Sequence, residues 1–186
     1  MRAMMRNAKC DLLLLGAIFL SFNVMASDCD LSVSQTHTNF GTFSRGTLSQ
    51  PVNGGQANII GRKTAMLTIV CPRPEHITLY YRAAAGRTAN SYLLGDIARL
   101  SLIISDAQAD GKSVSLMYKQ GGGVASSDNL KELPLLPDIG VTPNLNEPVT
   151  TLVMQMTSTA AVNDINARIK DHKTLNSNGT LEVVSE

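Results

Sequence analysis

The side chains able to do chemistry are few: three cysteines (Cys10, Cys29, Cys71), three histidines (His37, His76, His172) and two short runs rich in Asp or Gly. The histidines are scattered, and none stands at the i, i+4 spacing that sets two imidazoles on one metal ion. No G-x-S-x-G elbow offers a serine nucleophile. A Ser-His-Asp triad can assemble from distant residues, but no local signature points to one, and the histidines read as surface residues. The run DAQADGK, Asp106 to Lys112, has two aspartates and a glycine but lacks the bidentate glutamate and the spacing of a calcium loop. Its Asp110-Gly111 pair reads as a tight hairpin turn instead. Gly121-Gly122-Gly123 lacks the lysine and following helix of a phosphate loop and reads as a connection. The sequence therefore predicts no enzyme, no cofactor and no metal.

The cysteines are more informative, and their reading depends on the first residues. Arg2, Arg6 and Lys9 precede an apolar run, Leu12 to Leu15 and then Gly16 to Phe22, and Val24-Met25-Ala26 supplies small residues before a cut between Ala26 and Ser27. That is the pattern of a secretory signal peptide over residues 1–26, leaving one domain over 27–186. The apolar run is short for a bilayer span; an uncleaved anchor is the alternative. Lipid attachment at Cys29 is disfavoured, because Asp28 stands where a small neutral residue is needed. Removing the leader removes Cys10. Cys29 and Cys71 remain in an exported chain, so a disulfide is the default reading. It would close a loop of about forty residues and stabilise by roughly 4 kcal/mol in the chain-entropy model. Two buried free thiols are the alternative.

Composition narrows the function classes. With 16 basic and 15 acidic residues the net charge is +1. A nucleic-acid binder needs a basic stripe, which this chain lacks. Tryptophan is absent and aromatics are 4%, which disfavours a sugar site built on stacked rings, although Tyr80, Tyr81, Tyr92 and Tyr118 are available.

The elements that must position these residues read as strands. Cys29, Leu31 and Val33 alternate with Asp30, Ser32 and Ser34, a period of two with one buried face. Residues 49–63 are rich in turn formers and read as loop. In Ala65–Cys71, Leu67, Ile69 and Cys71 share a face, and Pro72 and Pro74 are expected to stop the strand. Further strands follow: one from His76 with Ile77, Leu79 and Tyr81 aligned, one with Leu100, Leu102 and Ile104, and its hairpin partner from Ser113. The four prolines at 134, 137, 143 and 148 mark a loop with extended pieces. Thr150 to Ser158 aligns Leu152, Met154 and Met156. Ile165, Ala167 and Ile169 favour another strand, and Leu181 and Val183 share a face of the last one. Seven to nine short strands without a long helix predict an all-β sandwich.

The pieces CDLSVSQTHTNFGTF, AMLTIVCPRPEHITLYY, LSLIISDAQADGKSV and LNSNGTLEVV, in this order and spacing, resemble the bacterial fimbrial-subunit pattern. They are closest to fimbrial-like proteins associated with chaperone–usher pilus systems. The resemblance spans nearly the whole mature chain. It implies an immunoglobulin-like (pilin-like) sandwich with a disulfide from the first strand to the end of the second. It also implies export to the periplasm and then the cell surface, with a role as a tip, capping or minor pilus component in cell adhesion. The implied partners are a periplasmic chaperone and usher, neighbouring pilus subunits and a surface receptor; no catalytic residue comes with it. A polymerising pilin carries an N-terminal arm before its first cysteine, whereas only Ser27 and Asp28 would precede Cys29 here, a reach of roughly 7 Å. The expectation is a chain that accepts a strand along its C-terminal strand, with Leu181, Val183 and Val184 in the exchange, and donates none. A self-complete periplasmic or surface sandwich acting as a binding module is the alternative.

Overall fold

The computed structural model describes residues 29–43, 57–88, 90–120, 130–163 and 174–186. The predicted leader, its cut between Ala26 and Ser27, the Gly121–Gly123 run, His172 and the segment 164–169 lie outside the described residues.

Eleven strands are formed among them: β1 (Asp30–Val33), β2 (Ala57–Glu75), β3 (Ile77–Ala83), β4 (Tyr92–Leu94), β5 (Ala98–Ala109), β6 (Lys112–Ser113), β7 (Leu116–Gln120), β8 (Glu132–Pro134), β9 (Ile139–Pro143), β10 (Val149–Asn163) and β11 (Gly179–Ser185). The first sheet has the order β1-β2-β10-β5-β4, with the short β6 and β8 also pairing β5; the second has the order β11-β3-β9-β7. The expected all-β two-sheet sandwich is present. The excess over the seven to nine strands expected comes from the two- and three-residue pieces β4, β6 and β8.

One core joins the sheets, and the period-two alternation places it. Leu67, Ile69 and Cys71 of β2, Leu100, Leu102 and Ile104 of β5, and Leu152, Met154 and Met156 of β10 are all buried, facing Leu79 of β3 and Val141 of β9 in the same apolar cluster. Each fully buried aliphatic side chain of this kind contributes about 1.5–3 kcal/mol by leaving water. The predicted core residues Leu67, Ile69, Leu79 and Leu102 are therefore interior. β3 is buried on both faces at its start: Ile77 and Leu79 face the core, while Thr78 and Tyr80 are covered on the other side. An ideal Cβ on Gly140 would stand 2.5 Å from Thr78 Cγ2 and 2.7 Å from Tyr80 Cζ, so only glycine lets β9 lie this close.

Three expectations are corrected. Residues 57–63, expected as loop, extend β2, because the long β10 supplies a ladder partner as far as Ala57↔Asn163. Local turn preference yields there to tertiary pairing. Gly61 also leaves room for the Phe40 ring, whose Cδ1 would be 3.0 Å from an added Cβ. Pro72 and Pro74 do not end β2. They fall between the pairs Thr151↔Val70 and Val149↔Glu75, where the ladder to β10 is irregular and β1 no longer pairs. No donor N–H is demanded of them there. The segment from Ser113 is not a full hairpin partner of β5: only Lys112 and Ser113 pair it, and the chain then changes sheets to form β7 beside β9. The change buries Leu116 completely in the core.

The turn itself is as expected. Asp110 and Gly111 both have positive φ, 46° and 76°, the conformation whose twist matches a two-residue hairpin. The span rich in prolines holds the extended pieces β8 and β9.

Candidate functional site

Cys29 and Cys71 are joined by a disulfide with an S–S distance of 2.07 Å. It ties the residue before β1 to β2. β1 benefits from such a tie because it is four residues long and, among the described residues, pairs only β2, through Asp30↔Val70 to Val33↔Leu67. Its inward side chains, Leu31 and Val33, are only partly buried against the core.

The other sheet has a comparable edge. β11 pairs β3 in unbroken register from Gly179↔Ala83 to Ser185↔Ile77 and has no second strand neighbour among the described residues. Two main-chain bonds extend the pairing beyond the strand: His76 N donates to Glu186 O at 2.8 Å and Glu186 N to His76 O at 3.2 Å. Leu181 and Val183 pack on the core yet stay partly exposed. Val184, paired with Thr78, lies on the opposite face. Of the three residues expected in strand exchange, two thus share the inward face and the third does not.

Each end of β11 is held by its neighbours. At its start, an added Cβ on Gly179 would fall 2.2 Å from Tyr81 Cζ and Oη, so the glycine accommodates the Tyr81 ring. That ring packs edge-on against Tyr92, centroids 4.8 Å apart at 84°, a favoured aromatic geometry. Tyr92 is fully buried and its hydroxyl donates to Tyr81 O at 3.4 Å. Burial first, and then the neighbouring Tyr81, push its phenol well above the ordinary range. On the outer face, Arg82 Nε donates to Glu182 Oε2 at 2.7 Å and Nη1 to Asp138 Oδ1 at 3.3 Å. At the end of the strand, Lys119 Nζ donates to Glu186 Oε2 at 2.8 Å. That bond, with the lysine charge, holds the Glu186 carboxyl below its usual range. Sequence reading missed these braces, because partners 100 and 67 residues apart leave no local signal.

Among the described residues, the remaining chemistry-bearing side chains are not brought together. His37 lines a shallow polar groove of about 590 Å³ with Ser34, Asn39, Lys63 and Thr64, while His76 lies beyond the other end of β2. Among the described residues no group of three or more His, Cys, Asp or Glu could hold a metal ion. Asp110 serves the hairpin: its Oδ1 accepts from Thr150 Oγ1 at 2.8 Å, Thr151 N at 2.9 Å and Thr150 N at 3.1 Å. Among the described residues the candidate site is therefore a main-chain one, the outer edge of β11 with the half-covered Leu181 and Val183.

No family model and no curated protein matches the chain. Among solved structures, the chain is similar to the P pilus rod subunit PapA, with 11% identity and a TM-score of 0.44 over 85% of this chain and 99% of that one. A likeness at this level assigns no role to any residue.

Proposed function

We propose that this chain is a non-enzymatic, exported fimbrial-like subunit. In this reading it is a tip, capping or minor component of a chaperone–usher pilus engaged in cell adhesion, and a strand from another protein adds along the outer edge of β11. One observation carries the reading: among the described residues β11 pairs only β3, and its inward Leu181 and Val183 remain partly exposed. An unpaired edge presents a row of N–H and C=O groups that another chain can pair. Strand addition gains affinity from those main-chain bonds and specificity from alternate side chains. Leu181 and Val183 supply the apolar side of that contact. The partners are a periplasmic chaperone first, then neighbouring subunits at the usher. Export through the periplasm to the surface agrees with a Cys29–Cys71 disulfide, which persists in oxidising compartments.

The test is co-expression with a chaperone encoded beside this chain, followed by capture on the chaperone. The intact chain is expected in the captured fraction, and a chain shortened by its last seven residues is expected to be lost from it and from the periplasm. A chain that purifies alone as a stable monomer, is never captured, and gains nothing from a linked strand of a neighbouring subunit would establish a self-complete sandwich instead.

A further inference from the structure

The chain enters β11 through the pair Asn178-Gly179, whose chemistry strand pairing does not use. The side-chain amide carbon of an asparagine is within reach of the backbone nitrogen that follows it, because the ring that closes is small and unstrained. Glycine in the next position leaves that nitrogen uncrowded. The other Asn-Gly pair, Asn53-Gly54, lies outside the described residues.

The polarity of the ladder leaves the Gly179 nitrogen available. His76 and Glu186 exchange both of their main-chain bonds, at 2.8 and 3.2 Å, so they are a hydrogen-bonded pair of an antiparallel ladder. Such pairs alternate along the strands, and the register from Ser185↔Ile77 to Gly179↔Ala83 is unbroken. Thr180, Glu182 and Val184 therefore share bonds with β3, whereas the Gly179 N–H points away from it. Among the described residues no other strand pairs β11. Asn178, Gly179 and Thr180 are all exposed. The Tyr81 ring leaves position 179 no room for a side chain, so the packing itself keeps the one neighbour that makes this asparagine reactive.

We propose that Asn178 is a site of spontaneous self-modification. Base removes the proton of the Gly179 N–H, and that nitrogen attacks Asn178 Cγ. The N–Cγ bond forms, the Cγ–Nδ2 bond breaks, and Nδ2 leaves as ammonia with a proton from water. Water then opens the cyclic imide at one of its two carbonyls. Opening at Cγ restores the ordinary main chain with an aspartate at 178. Opening at the Asn178 main-chain carbonyl leaves an isoaspartate, whose main chain runs through Cβ and Cγ. A neutral amide becomes a carboxylate in both products, and the isoaspartate also lengthens the main chain by an atom. Just before it, Leu175 packs on the core and Asn176 O accepts from Gly95 N at 2.9 Å. Just after it, Thr180 is bonded to β3. The added atom is taken up between these fixed points, at the expense of the first rungs of β11. This one-way change belongs to the uncovered edge and does not rest on strand addition there.

Peptide mapping by mass spectrometry, on the purified folded protein stored at mildly alkaline pH, tests this. The expected result is loss of the amide at Asn178 ahead of Asn39, Asn58, Asn90 and Asn176, with aspartate and isoaspartate both present at 178. Asn178→Gln, whose longer side chain must close a larger ring, is expected to keep its amide. A synthetic peptide of residues 175–184, stored alongside, gives the rate without the fold. Hydrogen exchange of the aged protein is expected to be faster at the Thr180 and Glu182 amides than in fresh protein, and unchanged in aged Asn178→Gln. A folded protein that keeps the Asn178 amide while the peptide loses it overturns the inference. So does an isoaspartate-bearing protein whose β11 amides exchange as slowly as before.

Discussion

Arg82 of β3 donates through Nε to Glu182 of β11 at 2.7 Å while its guanidinium carbon lies 4.5 Å over the Tyr80 ring. The arginine is thus stacked on its own strand and paired to the next. Its Nη1 donates to Asp138 Oδ1 at 3.3 Å on the far side, so one side chain spans the outer face from β11 across β3 to the approach of β9. A planar fork held by a ring loses less entropy per bond than a free lysine would. The brace ties β11 to β3 across the outer face of the second sheet.

Removing that brace should loosen β11 selectively. Arg82→Gln is expected to speed amide hydrogen exchange along Thr180–Val184 while leaving the central strands β2 and β10 at their parental rates. Exposed ion pairs add little to global stability, so the local readout is the informative one. Equal exchange in β11 before and after the substitution would show that the pair is decorative.

Gly179 is expected to tolerate no side chain. The ideal Cβ position lies 2.2 Å from the Tyr81 ring, and Tyr81 is fixed by Tyr92 beneath it. Gly179→Ala must shift the ring or the strand, a cost of about 1–3 kcal/mol for overpacking. Urea unfolding of parent and variant measures it; a difference under half of the lower figure would mean that the ring moves aside freely.

Neighbouring positions on β2 offer a direct check of the faces. Ile69 is fully buried and Val70 is 48% exposed. Ile69→Ala is expected to cost about 2–5 kcal/mol, and Val70→Ala to stay within about 0.5 kcal/mol. Equal losses would mean that the strand is turned or slipped by one residue.

The contrast at Ile69 and Val70 shows what is readable in a sequence of this kind. The faces of β2, β5 and β10 follow from a period of two, because burial on one side leaves its mark on every second residue. The Asp110-Gly111 turn was equally plain, since few residue pairs accept two positive φ values. The extension of β2 back to Ala57 was not: its residues read as turn formers, and the strand exists because β10 is long enough to pair them. The change of sheet after Ser113 was hidden for a similar reason. Alternation tells a strand which way its side chains face but not which neighbour it joins. At the candidate site, Leu181 and Val183 were legible as a shared face. The Arg82–Glu182 brace and the Tyr81 ring over Gly179 were not, because both need partners brought from far along the chain.

Asp110 gives the fold an acid limb. Its carboxylate accepts from the Thr150 hydroxyl and from the Thr150 and Thr151 amides, and these bonds, the hydroxyl first, hold its pKa below the ordinary value. A group whose folded pKa is depressed contributes stability above its unfolded pKa and loses that contribution as pH falls through the folded value. Stability should therefore fall as pH drops below about 4, the ordinary aspartate value. Asp110→Asn keeps a residue tolerant of positive φ but cannot ionise. Its stability between about pH 6 and pH 2 should vary less steeply than the parent's, with the remaining slope coming in part from Glu186, whose pKa is also lowered. Parallel pH profiles would mean that the Asp110 bonds do not favour the charged form.

The disulfide should matter most to β1, the four-residue strand at one edge of the first sheet. Cys29 stands directly before β1, which is otherwise held by its ladder to β2, by the bonds between Ser34 and Met66 just beyond it, and by partial burial of Leu31 and Val33. Cutting the bridge frees an end that otherwise closes a sequence separation of 42 residues. Replacing both cysteines by serine is expected to cost about 2–5 kcal/mol, read from denaturant unfolding. It should also release the β1 amides to exchange before those of β2. In protein recovered without reductant, Cys29 and Cys71 should both resist alkylation until a reducing agent is added. Two cysteines that alkylate at once, or a serine pair as stable as the parent with β1 still protected, would show that the ladder alone secures the strand.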